Sequence, residues 1–156
     1  MSKLLTNHSM VKDLGLTLLA EGKTIRIKAH GFSMYPCIKP GSLLLIEPIN
    51  IKGFPRPGEI IAIKRETGLI VHRLSGIETK NGINLYIARG DSNAYPDSPV
   101  KIDKIAGRIV RAETTGENPV LADIRINTKP KYFINRIRVI GILIWKKIYW
   151  FYSSNK

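Results

Sequence analysis

Three stretches of this sequence carry side chains able to do acyl-transfer chemistry. The first is Gly31-Phe32-Ser33-Met34-Tyr35-Pro36. Ser33 lies between a glycine and a proline, just past an alternating stretch, in a turn able to hold a hydroxyl out of a sheet. A serine there also caps its own backbone in many turns, so the residue alone decides nothing. The second is Ile70-Val71-His72-Arg73-Leu74. Alternation puts Ile70, His72 and Leu74 on one strand face and Val71 and Arg73 on the other. A histidine among apolar residues is either a satisfied core residue or the neutral imidazole base that a weak hydroxyl nucleophile needs. The third is Arg89-Gly90-Asp91-Ser92-Asn93-Ala94-Tyr95-Pro96-Asp97. Either aspartate can satisfy local amides in an Asx turn or orient and stabilise a histidine. Serine, histidine and aspartate, each near a strand end or turn, form an acyl-transfer constellation only if the fold brings them together.

Other candidates read differently. Lys64 ends an apolar stretch beside Arg65 and reads as a solvated lysine rather than a base. Cys37, the single cysteine, reads as a small packed residue more than as a nucleophile or redox sensor. It excludes an internal disulfide and a cysteine-rich metal site, and no cofactor or metal is expected. His30 adjoins the serine turn and is a candidate substrate contact.

The elements that must position these residues are short. Residues 8–21 read as a helix, with Val11, Leu14, Leu18 and Leu19 at helical spacing and Gly22 as a stop. Strands are expected over residues 24–29, 43–47, 60–64, 69–74, 84–88 and 105–113. Pro57-Gly58, Glu66-Thr67-Gly68 and Asn81-Gly82 punctuate them. This pattern predicts a mostly β fold, a coiled antiparallel or barrel-like sheet. Residues 114–130 read as a linker. Tyr132 to Tyr152 is apolar and basic at once and reads as a C-terminal helix. The organisation is therefore 1–22, an N-terminal helix; 23–113, the chemistry-bearing domain; and 114–156, a linker with a basic, aromatic tail segment.

With 156 residues, 44% hydrophobic and 24% charged, the chain fits one folded domain, not a disordered polymer. The net charge of +13 favours an anionic partner. No acidic residue follows Asp123, whereas Arg125, Lys129, Lys131, Arg136, Arg138, Lys146, Lys147 and Lys156 do. Residues 1–22 offer only Leu14 to Ala20 as an apolar stretch, so neither a secretory signal nor a membrane anchor is expected there. Four cations interrupt residues 134–152, and the longest uncharged run, Val139 to Trp145, is far short of the roughly 20 residues needed to span a bilayer. That segment can lie in an anionic membrane interface, pack on the sheet, or dock a partner protein.

Taken together, the boxes resemble the signal peptidase I family, in the branch of archaea and the endoplasmic reticulum. Ser33-Met34-Tyr35-Pro36 is similar to that family's Ser-Met-x-Pro box. Pro40-Gly41-Ser42 with the apolar run behind it, and Gly58-Glu59-Ile60-Ile61, resemble its next two boxes. His72-Arg73 matches the position where this branch carries a histidine and the bacterial branch a lysine. Gly90-Asp91-Ser92-Asn93 with Asp97, then Ile105 to Val110, close the series. The resemblance covers roughly residues 23–112. It implies Ser33 as nucleophile, His72 as general base and Asp97 as the third catalytic residue, with Asp91 close by. Met34, Tyr35 and Pro36 would wall the substrate groove, and the main-chain amide of Ser33 would form part of an oxyanion hole.

The implied activity is a serine endopeptidase removing a leader or signal segment from a peptide or preprotein. The alternative is a non-catalytic binding or regulatory module on the same fold, as in the related self-cleaving repressors. Those carry a separate helical DNA-binding domain, for which residues 1–22 are too short, so nucleic acid is not expected as a partner. Three departures stand out: Gly31 where the family commonly has a serine, Pro40-Gly41-Ser42 in place of a Gly-Asp turn, and no N-terminal span. They point to an atypical peptidase, peripheral to a membrane or cytoplasmic, whose anchor is its C-terminal segment or a partner protein.

Overall fold

A computed structural model of the protein describes residues 13–49, 53–66, 68–114, 120–121 and 129–154. The fold is mostly β, with a helix at each end. Helix α1 covers residues 13–20; residues 8–12 of the expected helix lie outside the described ones. Its end is set by Gly22 at φ +83°. Gly22 N donates to Leu19 O at 3.1 Å and Lys23 N to Leu18 O at 2.8 Å. That pair of bonds satisfies carbonyls the last helical turn would otherwise leave open, and only glycine takes the left-handed φ without strain. Leu19 is thereby tucked into the core beside Ile25.

Seven strands build one antiparallel sheet: β1 (Ile25–Lys28), β2 (Leu43–Pro48), β3 (Ile60–Arg65), β4 (Gly68–Lys80), β5 (Ile83–Arg89), β6 (Ile105–Glu113) and β7 (Val120–Leu121). Their order is β1-β2-β6-β3-β4-β5, with β7 added on β6. Register breaks interrupt β2–β6 at Leu45/Ile46, β3–β6 at Ala62/Ile63 and β4–β5 at Leu74/Gly76. Each such irregularity adds local twist, which coils the sheet. The uninterrupted apolar run Ile60-Ile61-Ala62-Ile63 is buried on both faces of β3, as expected for a strand covered on both sides. Ile60 and Ala62 join Met34, Ile38 and Leu44 in one core. Ile61 and Ile63 join Leu74, Tyr86 and Ala88 in the other. Each buried Ile or Leu contributes about 1.5–3 kcal/mol of transfer free energy.

Two expectations are corrected. Strand β4 does not stop at Leu74 but runs to Lys80; the register break between Leu74 and Gly76 absorbs Ser75 and lets pairing with β5 continue through Lys80↔Ile83. The expected linker at 114–130 holds β7, where Leu121 pairs Arg111 and Val120 pairs Ala112; residues 115–119 and 122–128 lie outside the described ones.

Helix α2 (Lys129–Ser154) is the basic, apolar C-terminal helix. One stripe faces the body of the protein: Tyr132 and Asn135 are buried, and Val139 and Ile142 half-buried. Spacings of three and four residues put these on one side. No helix among the described residues is long and apolar enough to cross a membrane.

Candidate active site

Ser33 sits in the turn that joins β1 to β2. The turn is pinned at its base, where Ala29 N donates to Ser42 O at 2.7 Å and Gly41 N to Ala29 O at 2.9 Å. Within it, Tyr35 N donates to Phe32 O and Ile38 N to Met34 O, both at 2.9 Å. Gly31 has φ +79°, and an added Cβ would meet nothing within 4 Å. The conformation, not crowding, therefore accounts for the glycine two residues before Ser33.

His72 lies on β4 directly opposite Ile61 of β3. It shares that face with Leu74, as the alternation implied, and is only 6% exposed. Its Nδ1 is 2.6 Å from Oδ2 of Asp97, a short hydrogen bond typical of a charged acceptor. Asp97 is held in turn because its N–H donates to Ala88 O of β5 at 2.8 Å. Ser33 and His72 line one cleft of about 380 Å³, with Met34, Ile70, Asn93 and His30 also on its wall. The Ser33 hydroxyl makes no hydrogen bond within the described residues, and neither does the Ser33 main-chain N–H.

The two aspartates are sorted by the fold. Asp91 does not face His72; it is 2% exposed and grips Arg73. Arg73 Nε donates to its Oδ1 at 2.9 Å and Nη2 to its Oδ2 at 2.8 Å. Nη1 of Arg73 donates to Gly58 O at 2.9 Å, and Nη2 also approaches Cys37 Sγ at 3.3 Å. Burial works against the Arg73 charge, but the bonds and charge of Asp91 outweigh it, and its pKa lies above the ordinary arginine value. Because His72 and Arg73 alternate along β4, the same two residues serve opposite faces: one the cleft, the other the buried clamp beneath it.

The loop after β5 reaches across to the serine turn. Ser92 N donates to Ser33 O at 2.9 Å, and Ser92 Oγ donates to Phe32 O at 2.7 Å and Ser33 O at 3.1 Å. Gly90 makes this approach feasible: a Cβ there would lie 2.7 Å from Ser33 O and 2.8 Å from Asn93 Cγ. Gly90→Ala is accordingly expected to displace the serine turn, at a cost of about 1–3 kcal/mol in stability. A thermal unfolding midpoint equal to that of the unaltered protein would count against this role. The loop is also held from α2. Asn135 Nδ2 donates to Asp91 O at 3.0 Å, and the Arg89 guanidinium stacks over the Tyr132 ring at 3.7 Å. Burial pushes the Tyr132 phenol pKa up, the Asp91 charge adding to this and Arg89 and Arg73 opposing it.

The remaining candidates disperse. Met34 is a core residue whose edge also reaches the cleft. Tyr35 and Pro36, expected to wall a substrate groove, are not on the cleft lining: Tyr35 packs near the Phe32 ring at 6.3 Å and Pro36 is exposed. Cys37 is half-buried against the first core. Lys64 lies in a separate open hollow of about 1000 Å³ with Arg65, Lys101 and Lys104, away from Ser33 and His72. Among the described residues no cluster of His, Cys, Asp and Glu could hold a metal ion. Arg73, Gly90 and Ser92 stand in the boxes quoted above without a role of their own, and Tyr132 and Asn135 stand in none. Only Arg73 left a signal, since a cation inside an apolar strand requires a buried partner.

No curated protein matches this sequence. The Peptidase S24-like family model does, over residues 4–110. That span begins ahead of α1, takes in every residue of the Ser33–His72 cleft and the Asp97 that backs it, and stops within β6, before β7 and α2. With most of its length and the whole of its cleft inside one family model, the chain belongs to the Peptidase S24-like family.

Proposed function

We propose that the protein is a serine endopeptidase that removes a leader or signal segment from a peptide or preprotein, with the Ser-His pairing of the archaeal and endoplasmic-reticulum signal peptidases. The observation that carries this reading is the His72 Nδ1–Asp97 Oδ2 contact of 2.6 Å on the wall of the cleft that Ser33 also lines. Asp97 accepts a hydrogen bond from Nδ1–H, which fixes the tautomer and leaves Nε2 of His72 to act as the base. Ser33 Oγ attacks the scissile carbonyl, its proton passing to His72. The tetrahedral adduct then collapses, the C–N bond breaks, and His72 returns the proton to the leaving amine. Water, deprotonated by the same imidazole, hydrolyses the ester and restores Ser33. The Ser33 N–H, uncommitted within the described residues, suits the developing oxyanion. A Ser33 hydroxyl with no hydrogen bond among the described residues fits a site whose hydrogen bonds tighten when substrate docks. The cleft walls Ile27, Ala29, Ile38, Leu44 and Val71 favour small apolar side chains beside the scissile bond.

Incubation with a complex peptide library, followed by mass spectrometry of newly created termini, tests the reading. The wild-type protein should create termini next to small apolar residues and Ser33→Ala none; an identical set from Ser33→Ala would sink the assignment.

A further inference from the structure

The face of α2 that points away from the body of the protein forms a continuous apolar stripe. Phe133, Ile137, Ile140, Ile144, Ile148 and Phe151 follow one another by four, three, four, four and three positions, so they share one side of the helix. All six are exposed, from 45% at Ile140 to 65% at Phe133. The inner side is fixed independently by Tyr132 and Asn135, which hold the loop after β5, and by Lys146, whose Nζ lies 5.1 Å from the Phe32 ring centroid. Viewed from the sequence alone, the cations of this helix fall on no single face. Once the inner side is known they resolve into two flanks: Arg136 and Lys147 run along one edge of the outer stripe, and Lys131 and Arg138 lie on the other side beyond exposed Ile134 and Trp145, which widen the apolar surface there. The helix carries six cations and no carboxylate. Its last turns are aromatic, with Trp145, Tyr149, Trp150, Phe151 and Tyr152 each between 61% and 72% exposed.

We propose that α2 is an interfacial membrane helix that lays its outer stripe into an anionic bilayer and holds the Ser33 cleft at the lipid surface. An apolar stripe bordered by lysine and arginine on both sides matches acyl chains below and anionic headgroups at the rim. The terminal Trp and Tyr side chains suit the headgroup level. A second copy of the chain is a poorer occupant, because two such helices face to face bring like charges together with no carboxylate on either to pair them. Phe32 immediately precedes Ser33, so the helix touches the serine turn as well as the loop behind it. Resting on the peptidase reading above, the substrate is then a peptide presented at, or emerging from, the bilayer.

Both tryptophans of the protein, Trp145 and Trp150, lie on α2, so selectively excited tryptophan fluorescence reports on this helix alone. Vesicles of phosphatidylcholine with about a third phosphatidylglycerol should sediment the protein and shift its emission to the blue, and high salt should reverse part of this. Ser33→Ala should bind as wild type does, which separates this proposal from the catalytic one. Ile140→Glu with Ile144→Glu, both at exposed positions, should abolish sedimentation. Arg138→Glu, which leaves the stripe intact, should weaken it at least fivefold, the scale of one cation at an anionic surface. Cleavage of a lipid-tethered peptide should drop in the Ile140→Glu, Ile144→Glu protein while cleavage of the same peptide free in solution persists. Failure of the wild-type protein to sediment with anionic vesicles, or a lipid-free dimer that Ile140→Glu with Ile144→Glu dissociates, would overturn the proposal.

Discussion

His72→Ala is expected to lower the cleavage rate by about a million-fold, and Ser33→Ala by as much, with the double variant no slower than either single one. On the proposed mechanism nucleophile and base act as one unit: without the imidazole, Ser33 Oγ has no acceptor for its proton, and without the hydroxyl the imidazole has nothing to deprotonate. Asp97→Asn keeps the shape of the site. It removes the carboxylate 2.6 Å from Nδ1, freeing the ring to take the wrong tautomer, and is expected to cost about ten-thousand-fold. Single-turnover kinetics on one peptide, for all four proteins, measures this. Additive losses in the double variant would show that Ser33 and His72 do not work on the same step. Circular dichroism of each variant guards against misfolding.

The largest effect on stability is expected at the clamp beneath the cleft. Arg73→Met leaves Asp91, 2% exposed, without its guanidinium. Breaking a buried pair from one side costs about 3–5 kcal/mol, because the surviving charge stays buried and uncompensated. For a chain of this size that is a fall in Tm of roughly 6–20 °C. Removing both partners, Arg73→Met with Asp91→Leu, should recover much of the loss, since the larger cost lies in the orphaned charge rather than in the bond. Urea unfolding of the wild-type, single and double variants forms the cycle that measures the coupling; a coupling under about 0.5 kcal/mol would contradict it. The pH dependence has a definite sign. A pKa raised on folding contributes stability that is present below the unfolded value and is lost only as the pH climbs past the folded one. The Arg73 side of the pair therefore holds throughout the neutral range.

The clamp also explains how two adjacent residues on one strand hold the site together. His72 and Arg73 point to opposite faces of β4. The Gly90–Asp97 loop meets both, offering Asp91 to the arginine beneath and Asp97 to the histidine above. Its middle, through Ser92, fastens the serine turn by main-chain carbonyls. The Ser33 turn is thus positioned by a segment about 60 residues away in sequence, which itself rests on Asn135 of α2.

What the sequence by itself determined was local. Alternation in Ile70-Val71-His72-Arg73-Leu74 put His72 with Leu74, and the structure keeps them on one face. The apolar run from Ile60 marked a strand, and Gly22 marked the end of α1, because strand pattern and φ preference are properties of a few neighbouring residues. Ser33, His72 and the Asp91–Asp97 loop were also legible, since their boxes occur in a family order. The resemblance pointed to Asp97, but the residues' own chemistry left both aspartates open, and the fold pairs Asp97 with the histidine and Asp91 with Arg73. Asp91 and Asp97 lie on one short loop with similar turn chemistry, and the choice follows from where β5 and Ala88 place that loop against β4. The same holds for the cations of α2. A helix has an inside only when something packs on it, so Arg136, Arg138 and Lys147 became the borders of an apolar stripe once Tyr132 and Asn135 fixed which side faces the protein.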